Sequence, residues 1–322
     1  MRSRHKYELE IAGRKTVLGE RTFILGVVNV TPDSFSDGGL YLDPARAIEH
    51  SLELVRQGAD WIDIGGESTR PGSRSIAAQE ELRRVLPVIQ GLRRRLPEVP
   101  IAIDTTRAEV AEQALRAGAS IINDVSGLRF DARLAGVARR CHAPLILMHL
   151  RGRPETMQQK PFARLIWRSL RDGLTRSIRR ALAAGVRRPQ LIVDPGLGFG
   201  KTRRQNFEIL AQLERLQRFR LPILVGTSRK SFVQALVAGG RLEAARRGKD
   251  PVTYWPVTVH VGAGLALPKQ ARQAAPLQIG DAAAVTASIL GGAHIVRVHD
   301  VAAVVPAVRI ADAVLKSVTS DE

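Results

Sequence analysis

Phe23-Ile-Leu-Gly-Val-Val28 runs directly into Asn29-Val-Thr-Pro-Asp-Ser-Phe-Ser-Asp-Gly-Gly39. The first stretch is short, continuous and rich in Val and Ile, which is the pattern of a parallel strand buried on both faces. The second is polar and Gly-rich, and reads as a loop at that strand's C-terminal end. The same alternation recurs along the chain, with a different polar residue at each strand end. Strand-like runs are expected at Phe23–Val28, Trp61–Ile64, Ile101–Ile103, Ser120–Ile122, Pro144–Met148, Leu191–Val193, Pro222–Val225 and Ile295–Val298.

Amphipathic stretches separate them: Pro44–Gln57, Ala77–Arg95, Arg107–Ala117, Ala132–Arg140, Phe162–Ala184, Arg203–Gln217 and Lys230–Val237, with Ala302–Val318 last. Helices tend to close on Gly, as at Gln57-Gly58 and Ala117-Gly118. Eight strands with eight helices make an α/β (β/α)8 TIM barrel over a single domain, residues 1–322. An open doubly wound sheet fits less well, because the repeat reaches eight and no second composition appears. Residues 1–22 contain Tyr7–Glu20, which reads as a hairpin turning at Ala12-Gly13 and capping the barrel's bottom. Residues 239–279, between helix 7 and strand 8, carry Pro251, Pro256, Pro268 and Pro276 and read as an insertion whose prolines exclude a long helix.

Composition narrows the function. The chain has 322 residues, 44% of them hydrophobic, enough for one large core. No apolar segment follows the basic N-terminus, and no run approaches the ~20 apolar residues of a membrane span. A cytoplasmic protein, with no membrane partner, is expected. The lone Cys141 has no partner for a disulfide. The net charge of +18 suggests nucleic acid at first sight, but the basic residues lie on helix faces among apolar positions, as in Leu92-Arg-Arg-Arg95. No nucleic-acid-binding signature accompanies them, so solvated faces and a field for an anionic substrate are the better reading, and no nucleic-acid partner is expected.

In such barrels chemistry sits at the C-terminal strand ends. Those positions are Asn29; Asp63 with Gly65-Gly-Glu-Ser-Thr-Arg-Pro-Gly72; Asp104; Asn123-Asp124; Met148-His149; Asp194-Pro-Gly-Leu-Gly-Phe-Gly-Lys201; Thr227-Ser-Arg-Lys-Ser231; and Arg297-Val-His-Asp300. Each alone has a bland explanation: Asp104 as a helix cap, Asn123-Asp124 as a turn, His149 as a packed imidazole. Eight together are harder to dismiss. Gly196–Thr202 is not a P-loop, because Pro195 stands where the first Gly is required. No ligand spacing for a transition metal is present, while a weakly held Mg2+ fits the oxygen donors.

The segments Gly26–Gly39, Asp63–Gly72, Ile122–Gly127, Asp194–Lys201, Ser228–Phe232 and Ile295–Asp300 resemble, in order, the dihydropteroate synthase family of pterin-binding barrels. The resemblance implies an aryl/alkyl-class transferase of folate biosynthesis. Such an enzyme joins 6-hydroxymethyl-7,8-dihydropterin pyrophosphate to p-aminobenzoate and releases pyrophosphate. It further implies a Mg2+ cofactor, sulfonamide sensitivity and a homodimer. By motif, Asp194 accepts from the pterin's aminopyrimidine edge, Asp104, Asn123 and Lys230 meet its other heteroatoms, Met148 packs on the ring and Arg297 stacks on it. Thr69, Arg70 and His299, with Arg297, face the pyrophosphate, and Asn29 holds Mg2+. Phe35, Thr69, Pro71, Phe199 and Ser231 surround p-aminobenzoate. Lys230, Arg297, His299 and Arg70 carry the catalytic roles.

The departure from the family pattern is the longer, Pro-rich, basic 239–279. A pterin-dependent methyltransferase of the same barrel family is the alternative, but it has no use for Ser228–Ser231 or the Thr31–Phe35 loop. A non-catalytic basic binding protein would not need the polar strand ends.

Overall fold

In a computed structural model, described for residues 4–31, 43–68, 73, 75–153, 155–157, 165–237 and 269–319 (backbone only for 269–276 and 319), eight parallel strands form a barrel inside a ring of helices. An N-terminal hairpin comes first, β1 (Tyr7–Ile11) and β2 (Arg14–Leu18), turning at Ala12 and Gly13, both at positive φ. The barrel strands are β3 (Phe23–Asn29), β4 (Trp61–Gly65), β5 (Ile101–Asp104), β6 (Ile121–Asp124), β7 (Leu145–Met148), β8 (Leu191–Asp194), β9 (Leu224–Gly226) and β10 (Ile295–Val298). Their order is β8-β7-β6-β5-β4-β3-β10-β9, and a parallel bridge from Val193 to Ile223 joins the two ends. The expected barrel is therefore present.

The helices are α1 (Pro44–Arg56), α2 (Ala78–Arg95), α3 (Ala108–Arg116), α4 (Arg133–Arg140), α5 (Ile166–Ala183), α6 (Arg203–Ala211), α7 (Ser231–Val237), α8 (Lys269–Leu290) and α9 (Val301–Thr319). Their starts follow local chemistry: Asp43 accepts from Ala45 N at α1, and Thr202 with Gln205 forms a reciprocal cap at α6. The stretch expected as one helix over Arg203–Gln217 divides into α6 and a 3-10 segment, Leu213–Phe219.

One expectation is overturned. Residues 269–279 begin α8, a 22-residue helix that contains Pro276, so proline does not exclude a long helix there. An internal proline costs a helix about 3 kcal/mol. Packing outweighs that cost: α8 lies against α7, α9 and α6, with Val285 and Ile289 fully buried. Prolines also lie inside α2 (Pro87) and α9 (Pro306). The helix beyond residue 279 was not expected either. The rest of the insertion, 239–268, lies outside the described residues.

Period-two alternation builds the interior in layers. Leu25, Trp61, Ala102, Ile121, Ile146, Ile192, Leu224 and Ile295 form a bottom layer, which Leu9, Ile11 and Leu18 of the hairpin cover. The hairpin thus caps the bottom as expected. Two or four residues further along each strand, on the same face, come Asn29, Asp63, Gly65, Asp104, Asn123, Met148, Asp194, Gly226 and Arg297. The register aligns Asn29 with Gly65, Gly65 with Asp104, Asp104 with Asn123, and Met148 with Asp194. The apolar faces of the other parity pack outward on the helices in one large core.

Candidate active site

At the top of the barrel these polar side chains meet. Arg297 of β10 donates from Nε to Asp63 Oδ2 at 2.6 Å and from Nη2 to Asp104 Oδ2 at 2.8 Å. Asn123 Nδ2 donates to the same Asp63 oxygen at 3.0 Å. Asp63 is fully buried, and it holds both Arg297 and Asn123 in place. Sequence reasoning placed Asp63 in a motif without giving it a role. The signal was present, since an inward-facing carboxylate in a strand requires a cation.

Asp104 does not cap α3: its carboxylate faces inward to Arg297, and Asp131 instead accepts from Ala108 N. Burial pushes the Asp104 carboxyl upward, and the Arg297 guanidinium opposes that shift. Of the pair Asn123-Asp124, the Asp is the turn residue, accepting from Ser126 N and Leu128 N. Asn123 belongs to the interior.

Asp194 ends β8, buried, with Oδ1 accepting from Gly196 N at 2.7 Å. Burial raises its pKa to about 6, against the pull of that amide, Lys230, Lys201 and Arg297. Gly196 has φ of 64°, and a Cβ there would stand 2.2 Å from His149 O, so only glycine lets the chain turn over this carboxylate. Lys201 fixes the remainder of the loop. Its Nζ donates to the carbonyls of His149, Gly196 and Phe199 at 3.0, 2.7 and 3.0 Å. Burial lowers its pKa to about 7. Its role is to position the loop.

Lys230 lies with Nζ 4.1 Å from the Phe199 ring centroid, near Asp194 and Arg297. Burial, then Arg297, lowers its pKa to about 8. The backbone before it is held from outside the barrel. Arg229 adopts φ of 56°, and Asp281 of α8 accepts from its N–H at 3.1 Å and from Ser228 Oγ at 2.9 Å. Ser228 Oγ in turn accepts from His299 N at 3.3 Å. One carboxylate on α8 therefore organises the loops bearing Lys230, Ser231 and His299. Asp281 lay outside every motif and was missed.

Above Lys230 and Arg297 opens a cavity of about 520 Å3, lined also by Asn29, Thr31, Ser68, Met157, Phe199, Ser231 and His299. Asp104, Asn123, Met148 and Asp194 lie buried at the strand ends. Arg297 joins the two groups, lining the cavity while donating to Asp104. Phe35, Thr69, Arg70 and Pro71 lie outside the described residues. Arg107 braces the base of the β4 loop, pairing with Glu67 at 2.9 Å and with the buried Glu81, and donating to Ile76 O.

Residues 25–299 match the pterin binding enzyme family. The chain is 42% identical over 295 residues to the dihydropteroate synthase of Synechocystis sp., covering 92% of this chain and 91% of that protein. It belongs to the dihydropteroate synthase family. Solved structures of that family superpose over nearly the full length. The Yersinia pestis enzyme with a sulfonamide drug has a TM-score of 0.79 at 35% identity, covering 96% of this chain and 99% of that one. The Xanthomonas albilineans enzyme with 4-aminobenzoic acid has 0.79 at 35%, covering 96% and 98%. A folate-biosynthesis transferase of the family's kind is thus what the barrel encodes, and the methyltransferase alternative is not favoured.

Proposed function

We propose that the chain condenses 6-hydroxymethyl-7,8-dihydropterin pyrophosphate with p-aminobenzoate by a largely dissociative displacement. The observation that carries this reading is the buried Asp194 carboxylate beside Lys230 and Arg297, beneath a cavity lined by Asn29, Ser231 and His299. An aminopyrimidine presents two parallel N–H donors, and an ionised carboxylate accepts both. Lys230 supplies a donor to the pterin carbonyl oxygen, and Met148 packs on the ring. Asp104 and Asn123 take the remaining ring heteroatoms. Arg297 lies flat-sided on the pterin and, with His299, faces the diphosphate, with Thr69 and Arg70 completing that set.

The electron-rich dihydropterin pushes C–O cleavage, so the main demand on the protein is a fixed positive field for the departing diphosphate. Lys230 and Arg297 supply that field, with His299 facing the same cavity. The arylamine is neutral at pH 7 and needs no strong base, which accounts for a site without a nucleophile–base pair. Phe35, Thr69, Pro71, Phe199 and Ser231 hold its ring and carboxylate.

The donor set suits Mg2+: neutral oxygens of Asn29, Thr31 and Ser68 line the cavity. Asn29 would hold the ion, whose chemistry is to neutralise diphosphate charge.

A homodimer through the α8–α9 face fits four exposed apolar side chains, Ile279, Ile310, Val314 and Val318. Among the described residues no helix is long and apolar enough to cross a membrane, in keeping with work in the cytoplasm. The test is a pyrophosphate-release assay. Release that requires both substrates and matches dihydropteroate formed one to one supports the reading. Release with both substrates present but no dihydropteroate formed sinks it.

A further inference from the structure

A second cavity, of about 330 Å3, lies outside the barrel wall at the ends of β6 and β7. It shares no lining residue with the cavity above Lys230. Its walls are the β6 loop (Ser126, Arg129), the last residue of β7 (Met148) with the loop after it (His149 to Gly152) and one face of α5 (Ser169, Gly173, Arg176, Ser177, Arg180). Arg129, Arg151, Arg176 and Arg180 line it, and no carboxylate does.

Guanidinium groups repel one another, so a surface that gathers four of them without an acid is costly unless something negative binds there. The cost is visible at Arg129, whose pKa is lowered by burial and then by Arg176, Arg153 and Arg180. Asp172, the one acid on α5, lies off the lining; Arg171 holds it at 2.9 Å, and its charge is shared among Arg171, Arg168 and Arg176, leaving Arg129, Arg151 and Arg180 without a carboxylate on the wall. Arg129 and Arg180 each spend one N–H on a loop carbonyl, Leu150 O at 2.6 Å and Leu128 O at 3.2 Å. Those bonds orient the guanidinium groups and leave further donors on each. Loop anchoring alone would need only these two arginines; it does not account for Arg151 and Arg176.

The inner wall is polar as well. His149 is buried to 6% exposure, with Nε2 3.4 Å from Ser169 Oγ and Nδ1 without a partner. Gly173 makes room for the imidazole, since a Cβ there would stand 2.5 Å from His149 Cδ2. Burial, then Lys201 and Arg129, holds the imidazole neutral.

We propose that this cavity is a second oxyanion site, taking a multiply charged phosphate-type anion between the β6 loop, the β7 loop and α5. Planar guanidinium forks from three directions match the tetrahedral oxygens of such an anion, and the space accepts either one phosphoryl group or two. Two free sources share this chemistry, inorganic phosphate and inorganic pyrophosphate. The site stands independently of the reaction proposed above.

The test is calorimetric titration of the full chain with pyrophosphate, and separately with phosphate, at about 0.15 M KCl, where exposed charges are screened. The comparison is wild type against Arg176→Gln/Arg180→Gln, both at exposed helical positions. Wild type should bind one more equivalent of pyrophosphate than the double variant, or bind that equivalent about tenfold more tightly. Turnover at low anion concentration should be unchanged. A phosphate titration showing the same difference assigns the site to single phosphoryl groups, and one showing none assigns it to the diphosphate. Arg151→Gln, from a different wall, must weaken the same event, which decides the matter if the double variant fails to fold. Identical stoichiometry and affinity in wild type and variants for both anions would overturn the proposal.

Discussion

Asp194 and Lys230 are two groups whose surroundings push them toward neutrality from opposite sides, one to about 6 and the other to about 8. The proposed roles need both charged: Asp194 as an acceptor from pterin N–H groups, Lys230 as a donor to pterin oxygen. Below about pH 6 the free carboxyl of Asp194 takes up a proton; above about pH 8 Lys230 loses one. The kcat/KM for the pterin substrate should therefore be bell-shaped, falling roughly tenfold per pH unit outside these limits. Initial rates across pH 5–9 check this, and a flat profile through pH 6 contradicts the role of Asp194. Asp281 offers a second prediction at this scale. Asp281→Ala removes the acceptor that holds Arg229 at positive φ and Ser228 beneath His299. The pterin KM should rise or kcat fall by about tenfold, some 1.4 kcal/mol. Asp281→Asn, which keeps one acceptor, should recover part of it. An unchanged Asp281→Ala enzyme would show that β9 alone positions Lys230.

Strands and the residues at their ends were legible in the sequence, and one helix was not. Each barrel strand announces itself as a short Val- and Ile-rich run, and counting by two from its apolar layer leads to the site: Ile192 to Asp194, Ile121 to Asn123, Ile295 to Arg297. Asp63 sits in the same count from Trp61, but only the fold shows that it clasps Arg297. Lys201 stands in a motif whose pattern assigns it no role, and Asp281 could not be read at all. Asp281 acts on Ser228 and Arg229, far away in sequence, and such bonds leave no local pattern. The unexpected α8 has a physical reason too. Its run from Asp281 to Leu290 is Ala-rich and apolar on several sides, so it lacks the polar face that marks an amphipathic helix, and Pro276 was given too much weight. Because α8 carries Asp281, we predict that the segment before it acts through that helix and not as a cover over the site. Replacing residues 241–268 with a Gly-Ser linker should lower thermal stability or dimerisation and leave both Michaelis constants within a few-fold. A folded, dimeric variant with lost p-aminobenzoate affinity would instead mark the segment as a lid.

For the whole molecule, the barrel divides labour between its ends. The hairpin seals the bottom with Leu9, Ile11 and Leu18, and the top is built from the ends of all eight barrel strands. The proposed p-aminobenzoate pocket draws on the segments after β3 and β4, so that amine is predicted to bind weakly unless pyrophosphate and Mg2+ are present. Sulfonamides, which mimic p-aminobenzoate, should compete with it. Noncompetitive kinetics against p-aminobenzoate would place the drug elsewhere. The central claim is that the buried carboxylate closing β8 reads the pterin. Calorimetric titration of wild type and Asp194→Ala with the pterin pyrophosphate tests it most directly. The variant should lose roughly 2–5 kcal/mol of binding, because ligand donors are left unpaired in a buried site. Wild-type affinity in a folded Asp194→Ala protein would contradict the account.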